Sequence, residues 1–486
     1  MKIKQTKGIT LIALLITIII LLILAGVTIT MLTGDNGILK QATNARETNS
    51  KAEFEEQVKL AVIASRVNDT ASIDLKTLDE EINKISETAI TKSADNNLPW
   101  TVKKGSYEVT ITADGTITSN TTGKDDPVVE SEVVKQAKSA MPEGASIDPT
   151  TNENTGIVMI DSNKNEWVWV EVPATVFTSA TSSTDYDNIK ADLIAYASDY
   201  RESYTDEWYA MDGETLVTAS TEGLTEAQKL LNNGCGLTYN EYNTNYNKML
   251  SSIYKNKGFY IGRYEAGIAG SDENTSLARY SRTEITSSSP KAVSKKDMIP
   301  YNFVTCSDAQ QLANGISTGN KTSSLMYGIQ WDLVCKFLEV KGNWDTTENT
   351  AQYYIKQNST SWGNYANSSI TLSRGKYNIN PSSSSSTWTP FGTDTLNYVT
   401  SSKTNSSTSY YQLLTTGASE DTNKMNIYDF AGNEYEWILE TTANTYNPCN
   451  VRGGSCNNGG NNPASCYNAS RTTNSNCVIG LRPSLY

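Results

Sequence analysis

A long uncharged run near the N-terminus constrains this chain more than any other feature. The run extends from Gly8 to Gly34, and its core from Ile9 to Ile29 is almost wholly aliphatic. Because about 20 apolar residues span a bilayer as a helix, we predict one transmembrane helix over residues 9–32. Three lysines precede the run and favour a cytoplasmic N-terminus, which places the rest of the chain outside the cell. A secretory signal peptide is the alternative, but no A-x-A cleavage site follows the run.

The composition excludes several classes of function. The chain has 486 residues, enough for about two or three domains, and its formal net charge is −13. No basic stripe is present to neutralise phosphates, which argues against nucleic acid as a partner. The absence of histidine removes Ser-His-Asp and Cys-His catalysis and histidine-bound zinc or copper. The seven cysteines form no CxxC pair, and the pairing of any disulfides stays open.

The part of the chain after the membrane predicts a small helical and β-hairpin region. Apolar residues from Phe54 to Val67 suit an amphipathic extension of the anchor helix, and Thr77–Ile90 is predicted as a second helix. Alternating side chains at Tyr107–Thr112, followed by Asp114-Gly115 and Thr116–Thr118, predict a hairpin. This region therefore has the layout of a long helix packed on a small sheet.

A larger domain of helices and strands is predicted after a linker. Gly156–Ile160 and Glu166–Val172 have the composition of strong strands on either side of a polar turn. Ser179–Lys257 is polar and predicts an insertion with some helix, while Asp308–Asn314 and Trp331–Val340 are predicted helices. Helices and strands therefore both contribute to this part of the chain.

The last stretch, Val451–Tyr486, differs in composition from the rest of the chain. Nine asparagines fall between Asn447 and Asn476. Asn, Ser, Gly and Tyr are the residues that antibody paratopes use, because they combine adaptable hydrogen bonding with rigid aromatic contacts. A surface loop without a role is the alternative that composition alone supports equally well.

The N-terminal motif resembles the type IV prepilin cleavage site. Lys7-Gly8-Ile9-Thr10-Leu11-Ile12 matches the family pattern, which implies cleavage between Gly8 and Ile9. The family usually has a glutamate five residues after the cut, whereas this chain has Ala13. The resemblance implies a single-pass protein of the bacterial cell membrane with an extracellular C-terminal domain. Pilus or pseudopilus subunits are its implied partners, although Ala13 puts assembly into a filament shaft in doubt.

Six segments in the C-terminal part resemble the formylglycine-generating-enzyme family, a branch of the C-type lectin fold. In chain order they are Gly258–Gly267, Leu325–Glu339, Ser361–Tyr365, Ile427–Trp437, Arg452–Ser455 and Gly480–Arg482. The same fold carries the variable proteins of diversity-generating retroelements. In those proteins the diversified residues lie between an RGGS-like start and a G-[FL]-R-like end, and Asn, Tyr and Ser are enriched there.

This resemblance implies specific roles for residues of the C-terminal segment. The implied framework consists of Arg452, Gly453, Gly454, Gly480 and Arg482, with the arginines bracing the segment through carboxylate or backbone contacts. The implied ligand-binding face consists of Asn457, Asn458, Asn461, Asn462, Tyr467, Asn468, Asn474 and Asn476. We expect these eight side chains to form one exposed face, and the ligand to be a protein or a glycan.

The resemblance also bears on metal binding and catalysis. In relatives the last glutamate of the Gly432–Trp437 motif helps to hold a structural calcium ion, which implies Glu436 as a ligand; a surface carboxylate beside a core tryptophan is the alternative. Formylglycine-generating members use a copper-binding cysteine pair after the GGS element. Here Cys456 is near that place, but Cys466 follows at a different spacing. We therefore expect no catalytic residues and no enzymatic activity.

Three functions stay open at this point. The first is a pilin-anchored protein for adhesion or recognition with a diversified binding face, the second a membrane-tethered oxidase of the formylglycine-generating type, and the third a structural minor pilin cap. The expected fold class is α+β. The predicted divisions are a prepilin leader (1–8), a transmembrane helix (9–32), a pilin-like helix with a small sheet (33–118), a linker (119–150) and the lectin-type domain (151–486), with the variable region at 451–486.

Overall fold

The computed structural model describes most of the chain after residue 52. The described residues are 53–66, 73–119, 130–201, 207–212, 224–392 and 412–486, apart from residues 87, 94, 106, 114, 443 and 445, together with the backbone of 215–216, 398–400, 404–405 and 408–409. The predicted leader and transmembrane helix, including Gly8, Ile9 and Ala13, lie outside these residues. Among the described residues, no helix is both long enough and apolar enough to cross a bilayer.

The chain is α+β and divides into two compact units, Met1–Val129 and Glu130–Tyr486. The described part of the first unit contains α1 (53–64), α2 (Leu75–Asn83), β1 (Thr88–Thr91), β2 (Trp100–Lys104), β3 (Tyr107–Ile111) and β4 (Ile117–Ser119). The four strands form one antiparallel sheet in sequence order. Its core joins Phe54 and Val58 of α1 to Ile82 of α2 and Trp100 of β2.

The first unit confirms the predicted hairpin and corrects the second helix. Strands β3 and β4 pair antiparallel, and Gly115 in the turn between them has φ +79°, a conformation that favours glycine. The predicted helix over Thr77–Ile90 ends at Asn83 instead. Residues Thr88–Thr91 form β1 because a run of β-branched side chains fits a half-buried strand better than a helix.

The second unit is larger. Its described α-helices are α3 (Glu132–Ala140), α4 (Tyr186–Tyr196), α5 (Glu226–Lys229), α6 (Tyr239–Asn256), α7 (Cys306–Asn314), α8 (Gly328–Lys341) and α9 (Ala351–Lys356). Its described strands are β5 (Ser146–Ile147), β6 (Val158–Ile160), β7 (Glu166–Glu171), β8 (Met211–Asp212), β9 (Thr215–Leu216), β10 (Gly258–Gly262), β11 (Gly267–Ile268), β12 (Ala292–Val293), β13 (Ser323–Leu325), β14 (Ser369–Thr371), β15 (Lys376–Asn378), β16 (Thr389–Pro390), β17 (Tyr398–Thr400), β18 (Thr404–Asn405), β19 (Thr408–Ser409), β20 (Leu413–Leu414), β21 (Tyr435–Thr441), β22 (Cys449–Arg452), β23 (Tyr467–Ser470), β24 (Ile479–Leu481) and β25 (Pro483–Leu485).

Two sheets position the C-terminal segment. A six-stranded antiparallel sheet has the order β13-β25-β10-β7-β6-β5, so that the strand closest to the C-terminus lies between β13 and β10. A four-stranded sheet has the order β23-β22-β21-β24, in which only the β21–β24 pair is parallel. Every residue of β10 and β21 is buried, as expected for central strands of a packed domain.

The second unit begins earlier than the sequence predicts. Residues 119–150 were expected to be a linker, but the compact unit starts at Glu130 and includes α3 and β5. Ser131 caps α3 by accepting a hydrogen bond from the Val134 amide, and Ala137 is buried. The carbonyl of Ala137 accepts a hydrogen bond from the hydroxyl of Tyr260 on β10 at 2.9 Å. These contacts make α3 part of the domain core.

The helices of the second unit agree in part with the prediction. The predicted helices near Asp308–Asn314 and Trp331–Val340 are α7 and α8. The polar region 179–257 contains α6, an 18-residue helix with a capping box between Thr238 and Glu241. Its buried face is rich in tyrosine, which obscured the apolar period in the sequence.

Three cysteines lie close together in this unit. Cys235 and Cys306 form a disulfide that joins the residues before α6 to the start of α7. The Sγ atom of Cys449, the first residue of β22, lies within 4.8 Å of both disulfide sulfurs. Burial raises the pKa of the Cys449 thiol to about 12, which disfavours the reactive thiolate.

Candidate functional site

The start of the C-terminal segment is fixed by a buried arginine. Arg452 lies on β22, and its side chain is fully buried. Its Nε and Nη2 donate to the two carboxylate oxygens of Glu440 at 3.2 and 3.1 Å, and Nη2 also donates to Asp332 at 3.0 Å. Its Nη1 donates to the carbonyl of Ser465 at 2.9 Å, inside the segment itself. Arg452 therefore ties α8 and β21 to the segment.

A second arginine completes this buried cluster. The Nη1 of Arg201 donates to Asp332 at 3.0 Å and lies 3.9 Å from Glu440. Two guanidinium groups thus face two carboxylates, so their formal charges balance. Burial raises the pKa of Asp332 to about 7, although Arg452 and Arg201 both favour its ionised form. The cluster is sensitive to loss of a cation, because one guanidinium would then face two buried carboxylates.

The end of the segment is fixed in the same way. Arg482 is fully buried between β24 and β25, and its Nε and Nη2 donate to Glu436 at 2.8 to 3.1 Å. Its remaining donors reach the carbonyls of Gly262 at 3.0 Å and Tyr428 at 2.8 Å. Each implied framework arginine thus contacts both a carboxylate and the backbone.

Three glycines are required where the segment passes closely packed groups. Gly453 and Gly454 have φ of +92° and +74°, which L side chains rarely adopt. A Cβ atom on Gly454 would lie 2.4 Å from the carbonyl oxygen of Asn462. A Cβ atom on Gly480 would lie 2.0 Å from Oε2 of Glu434. These positions exclude larger residues for steric reasons.

Buried polar groups from the separate sequence motifs meet beside these glycines. The Nδ2 of Asn364 donates to Oδ1 of Asn433 at 2.9 Å, and the Nδ2 of Asn433 donates to Glu265 at 2.6 Å. The amide of Glu434 donates to the other oxygen of Glu265 at 3.1 Å. The carbonyl of Asn433 accepts a hydrogen bond from the amide of Cys456 at 3.0 Å. Cys456 lies in the first turn of the segment. Residues from motifs that are far apart in sequence therefore form one hydrogen-bonded network beside the segment.

The loop from Ser455 to Cys466 is held mainly through its backbone. The carbonyl of Asn458 accepts from the amide of Ala366 at 2.7 Å, and the carbonyl of Gly460 accepts from the amide of Ser359 at 2.9 Å. The amide of Gly460 donates to the side chain of Asn367 at 2.9 Å. Further on, the carbonyl of Ala464 accepts from the indole of Trp331 at 3.0 Å. These bonds fix the path of the loop without using its asparagine side chains.

None of the eight residues of the implied binding face is buried. Asn457, Asn461 and Asn468 are exposed, and the partly exposed members are Asn458, Asn462, Tyr467, Asn474 and Asn476. The group falls into three places along the chain. Four asparagines lie on the 455–466 loop, Tyr467 and Asn468 lie on β23, and two asparagines lie on the loop after β23.

Strand β23 connects the two loops and forms one edge of its sheet. It pairs with β22 alone among the described strands, with Tyr467 opposite Arg452 and Asn468 opposite Val451. The guanidinium of Arg452 lies 6.0 Å from the centre of the Tyr467 ring, within the range of a cation–π contact. Tyr467 therefore combines a contact to the framework with partial exposure.

Some side chains of the implied face also stabilise the segment locally. The hydroxyl of Ser455 lies 2.6 Å from the Oδ1 atoms of both Asn457 and Asn458. The Nδ2 of Asn474 donates to the hydroxyl of Ser470 at 2.7 Å, and Oδ1 of Asn476 accepts from the amide of Val478 at 2.9 Å. Four of the eight residues of the implied binding face therefore have hydrogen-bond partners within the segment: Asn457, Asn458, Asn474 and Asn476.

Glu436 does not fit the calcium role that the sequence implied. Its side chain is buried, and both carboxylate oxygens accept hydrogen bonds from Arg482. A calcium ligand needs a free oxygen lone pair directed at the ion, and a guanidinium in contact would repel the cation. The alternative of a surface carboxylate is also wrong. Glu436 is the buried anchor of Arg482.

The cysteines of the segment are in surroundings that disfavour thiolate chemistry. Cys456 and Cys477 are buried, and burial raises the pKa of the Cys456 thiol well above its ordinary value. Burial likewise raises the pKa of the Cys466 thiol to about 12. Burial therefore disfavours a free thiolate, the reactive form, at these cysteines.

Several residues that build the site were not predicted as part of it. Asp332, Glu440 and Arg201 form the Arg452 cluster, and Ser359 and Asn367 hold the 455–466 loop. Asp332 lies inside a motif that the sequence singled out, but the same helix also carries Lys336 and Glu339, so no local pattern marked Asp332 as the partner of Arg452. Glu440, Arg201, Ser359 and Asn367 carry no local pattern that marks them.

Comparison with known proteins adds no relative. A scan against protein-family models found no match, and a search of curated proteins found none either.

Proposed function

We propose that this chain is a surface-displayed recognition protein whose C-terminal segment contacts the ligand. A prepilin-like N-terminus would anchor it in the bacterial membrane, with a domain of the C-type lectin type outside the cell. The ligand is a protein or a glycan, and specificity resides in the side chains between the RGGS and GLR elements.

One observation carries this proposal: the segment separates the groups that fix its backbone from the side chains that face outward. Its ends are held by fully buried Arg452 and Arg482, and its loop is held through main-chain atoms. None of the eight implied binding residues is buried. Such an arrangement lets side chains change while the backbone stays in place, which is what a diversified binding face requires.

The oxidase alternative is weaker on chemical grounds. The chain has no histidine, and burial raises the pKa of the Cys456 and Cys466 thiols. In addition, Cys466 follows Cys456 at a spacing that differs from that of the copper-binding cysteine pair of the family that the chain resembles.

The test is a library of full-length chains displayed on cells, randomised at the eight positions. Folded members are selected first and then screened against a glycan array and a protein array. We expect different folded members to bind different array members. A matched library randomised at exposed residues away from the segment, such as Lys291 and Asn154, is the control. If folded members of both libraries bind the same targets as the parent, the segment does not determine specificity and the proposal is wrong.

A further inference from the structure

A groove beside α6 collects positive charge in an otherwise acidic chain. It encloses about 720 Å³ and is lined by Lys248 and Lys255 of α6 and by Lys321 of the loop before β13. We call it the lysine groove. Its lining residues include no aspartate or glutamate, although the chain has 53 acidic and 40 basic residues. The local charge is therefore opposite in sign to the net charge.

The residues of α6 that line the groove share one face of the helix. Thr244, Lys248, Ser251 and Lys255 are spaced by four, three and four residues, the period of neighbouring side chains on a helix. At 1.5 Å per residue this row is about 16 Å long. Hydroxyl groups thus alternate with ammonium groups along an extended surface.

Two of the ammonium groups in the groove, those of Lys248 and Lys321, lie near each other. Lys321 is partly buried, and its pKa is lowered by burial and then by the positive charge of Lys248. Among the described residues no ion pair joins any of the three lysines to a carboxylate side chain; Lys248 contacts the hydroxyl of Thr322 instead. Tyr486 also lines the groove, and its main-chain oxygen accepts from the amide of Thr322 at 3.0 Å.

Converging ammonium groups repel each other, and an anion bound between them removes that repulsion. Ammonium, hydroxyl and amide groups all donate hydrogen bonds. The groove therefore presents donors to the oxygens of phosphate and sulfate, which are acceptors. The groove is open along α6, so it can accept an extended ligand that carries more than one phosphate or sulfate group.

We propose that the lysine groove is an oxyanion-binding site for phosphate or sulfate groups, either free or carried on an extended polymer. The site lies on α6 and the loop before β13, outside the residues of the diversified face. It would give the protein a constant ligand in addition to the variable one, and it does not depend on the proposed function of the C-terminal segment.

The test uses the full-length chain in detergent and inorganic phosphate as the probe, with ionic strength held constant by chloride. Binding is measured by calorimetry for the parent and for Lys248→Gln and Lys321→Gln. Because hydrogen bonds to charged groups contribute about 1.5–3 kcal/mol, each substitution should weaken binding by about tenfold or more. Lys291→Gln removes the same charge from an exposed position outside the groove and should leave binding unchanged.

Two further arms separate the sources and guard against misfolding. Lys321→Arg keeps the charge and should retain binding, and melting curves check that each variant is folded. Tighter binding of inorganic polyphosphate than of phosphate indicates a polymer-borne ligand, and equal affinity indicates a free ion. If the parent binds neither probe, or if Lys291→Gln weakens binding as much as Lys321→Gln, the proposal is overturned.

Discussion

The two ends of the C-terminal segment are held by buried side chains, whereas the stretch between them carries exposed asparagines. At the ends, Arg452 and Arg482 are completely buried and use their guanidinium donors on carboxylates and carbonyls. Between them, Asn457, Asn461 and Asn468 are exposed, and the loop that carries the first two is held by its backbone. A few deeply buried groups are therefore enough to fix the path of the backbone.

This comparison predicts a steep gradient of mutational cost along 36 residues of one segment. Substitutions of the arginines at the ends leave buried carboxylates without their cationic partner. Substitutions of the glycines force a Cβ atom into occupied space. Substitutions at the eight positions of the implied binding face change side chains that are exposed or partly exposed.

The largest effect is expected at Arg452. Arg452→Ala leaves Asp332 and Glu440 buried with Arg201 as their only described cationic partner, and we expect a loss of about 3–5 kcal/mol in the free energy of unfolding. Urea unfolding of the full-length chain in detergent measures it. Arg471→Ala, at an exposed arginine of the same segment, is the control and should change stability by less than about 0.5 kcal/mol. Equal losses for the two variants would show that the buried cluster does not fix the segment.

A smaller loss is expected at Gly454. Gly454→Ala places a Cβ 2.4 Å from the carbonyl of Asn462 in a backbone with φ +74°, and should cost about 2–3 kcal/mol. Gly392→Ala is the matched control, because Gly392 has φ +79° but no atom within 4 Å of the added Cβ. The difference between the two melting curves isolates the steric contact. A Gly454→Ala variant as stable as Gly392→Ala would mean that the loop moves freely.

The buried carboxyl of Glu434 predicts a pH dependence. Both of its oxygens are buried, and burial, followed by the nearby carboxylate of Glu436, raises its pKa well above the ordinary 4.5, although the Asn302 side chain favours the ionised form. The folded state therefore holds this proton more tightly than the unfolded state. Stability from this group is complete below pH 4.5 and decreases as pH rises towards the folded pKa, by up to about 1.4 kcal/mol per pH unit.

The neutral isostere tests this sign. Glu434→Gln removes the titrating group, so the variant should gain stability relative to the parent as pH rises from about 5 to about 8. Melting temperatures at both ends of that range measure the difference. Glu348→Gln, at an exposed site, is the control and should show no such gain. A difference that shrinks with rising pH would contradict the assignment.

Tyr467 lies between the two classes and should behave accordingly. Its ring is near Arg452, so Tyr467→Ala should cost about 1 kcal/mol, while Tyr467→Phe keeps the ring and should cost less. Chemical denaturation of both variants separates the ring from the hydroxyl. Equal costs would assign the stability to the hydroxyl and move Tyr467 to the structural class.

The sequence was informative where a property is local and less so where it depends on distant partners. The hairpin at β3 and β4 and the strands at β6 and β7 follow from alternation and turn residues, and α7 and α8 from helical periodicity. The resemblance placed Arg452 and Arg482 in the framework. Their carboxylate partners could not be found from pattern, because Asp332 is 120 residues from Arg452 in sequence and Glu436 is 46 from Arg482.

The errors have physical causes of the same kind. Glu436 looked like a metal ligand because its neighbours match a motif, but the arginine that occupies its oxygens is visible only in the folded chain. The linker assignment failed because α3 is short, and its burial depends on β10. The exposure of the eight residues was expected from the resemblance, and three of them are exposed and five partly exposed. The backbone anchors of the loop, such as Ser359, needed the structure.

The most direct test of the account is saturation mutagenesis of the full-length chain at thirteen positions, scored by resistance to protease on the cell surface. The positions are the eight residues of the implied binding face and the five framework residues. We expect most substitutions at the eight positions to keep the chain folded, since exposed sites change stability by less than about 0.5 kcal/mol. We expect most substitutions at Arg452, Gly453, Gly454, Gly480 and Arg482 to expose it to cleavage. Equal tolerance in the two sets, or greater tolerance in the framework, would contradict the division between fixed backbone and free side chains.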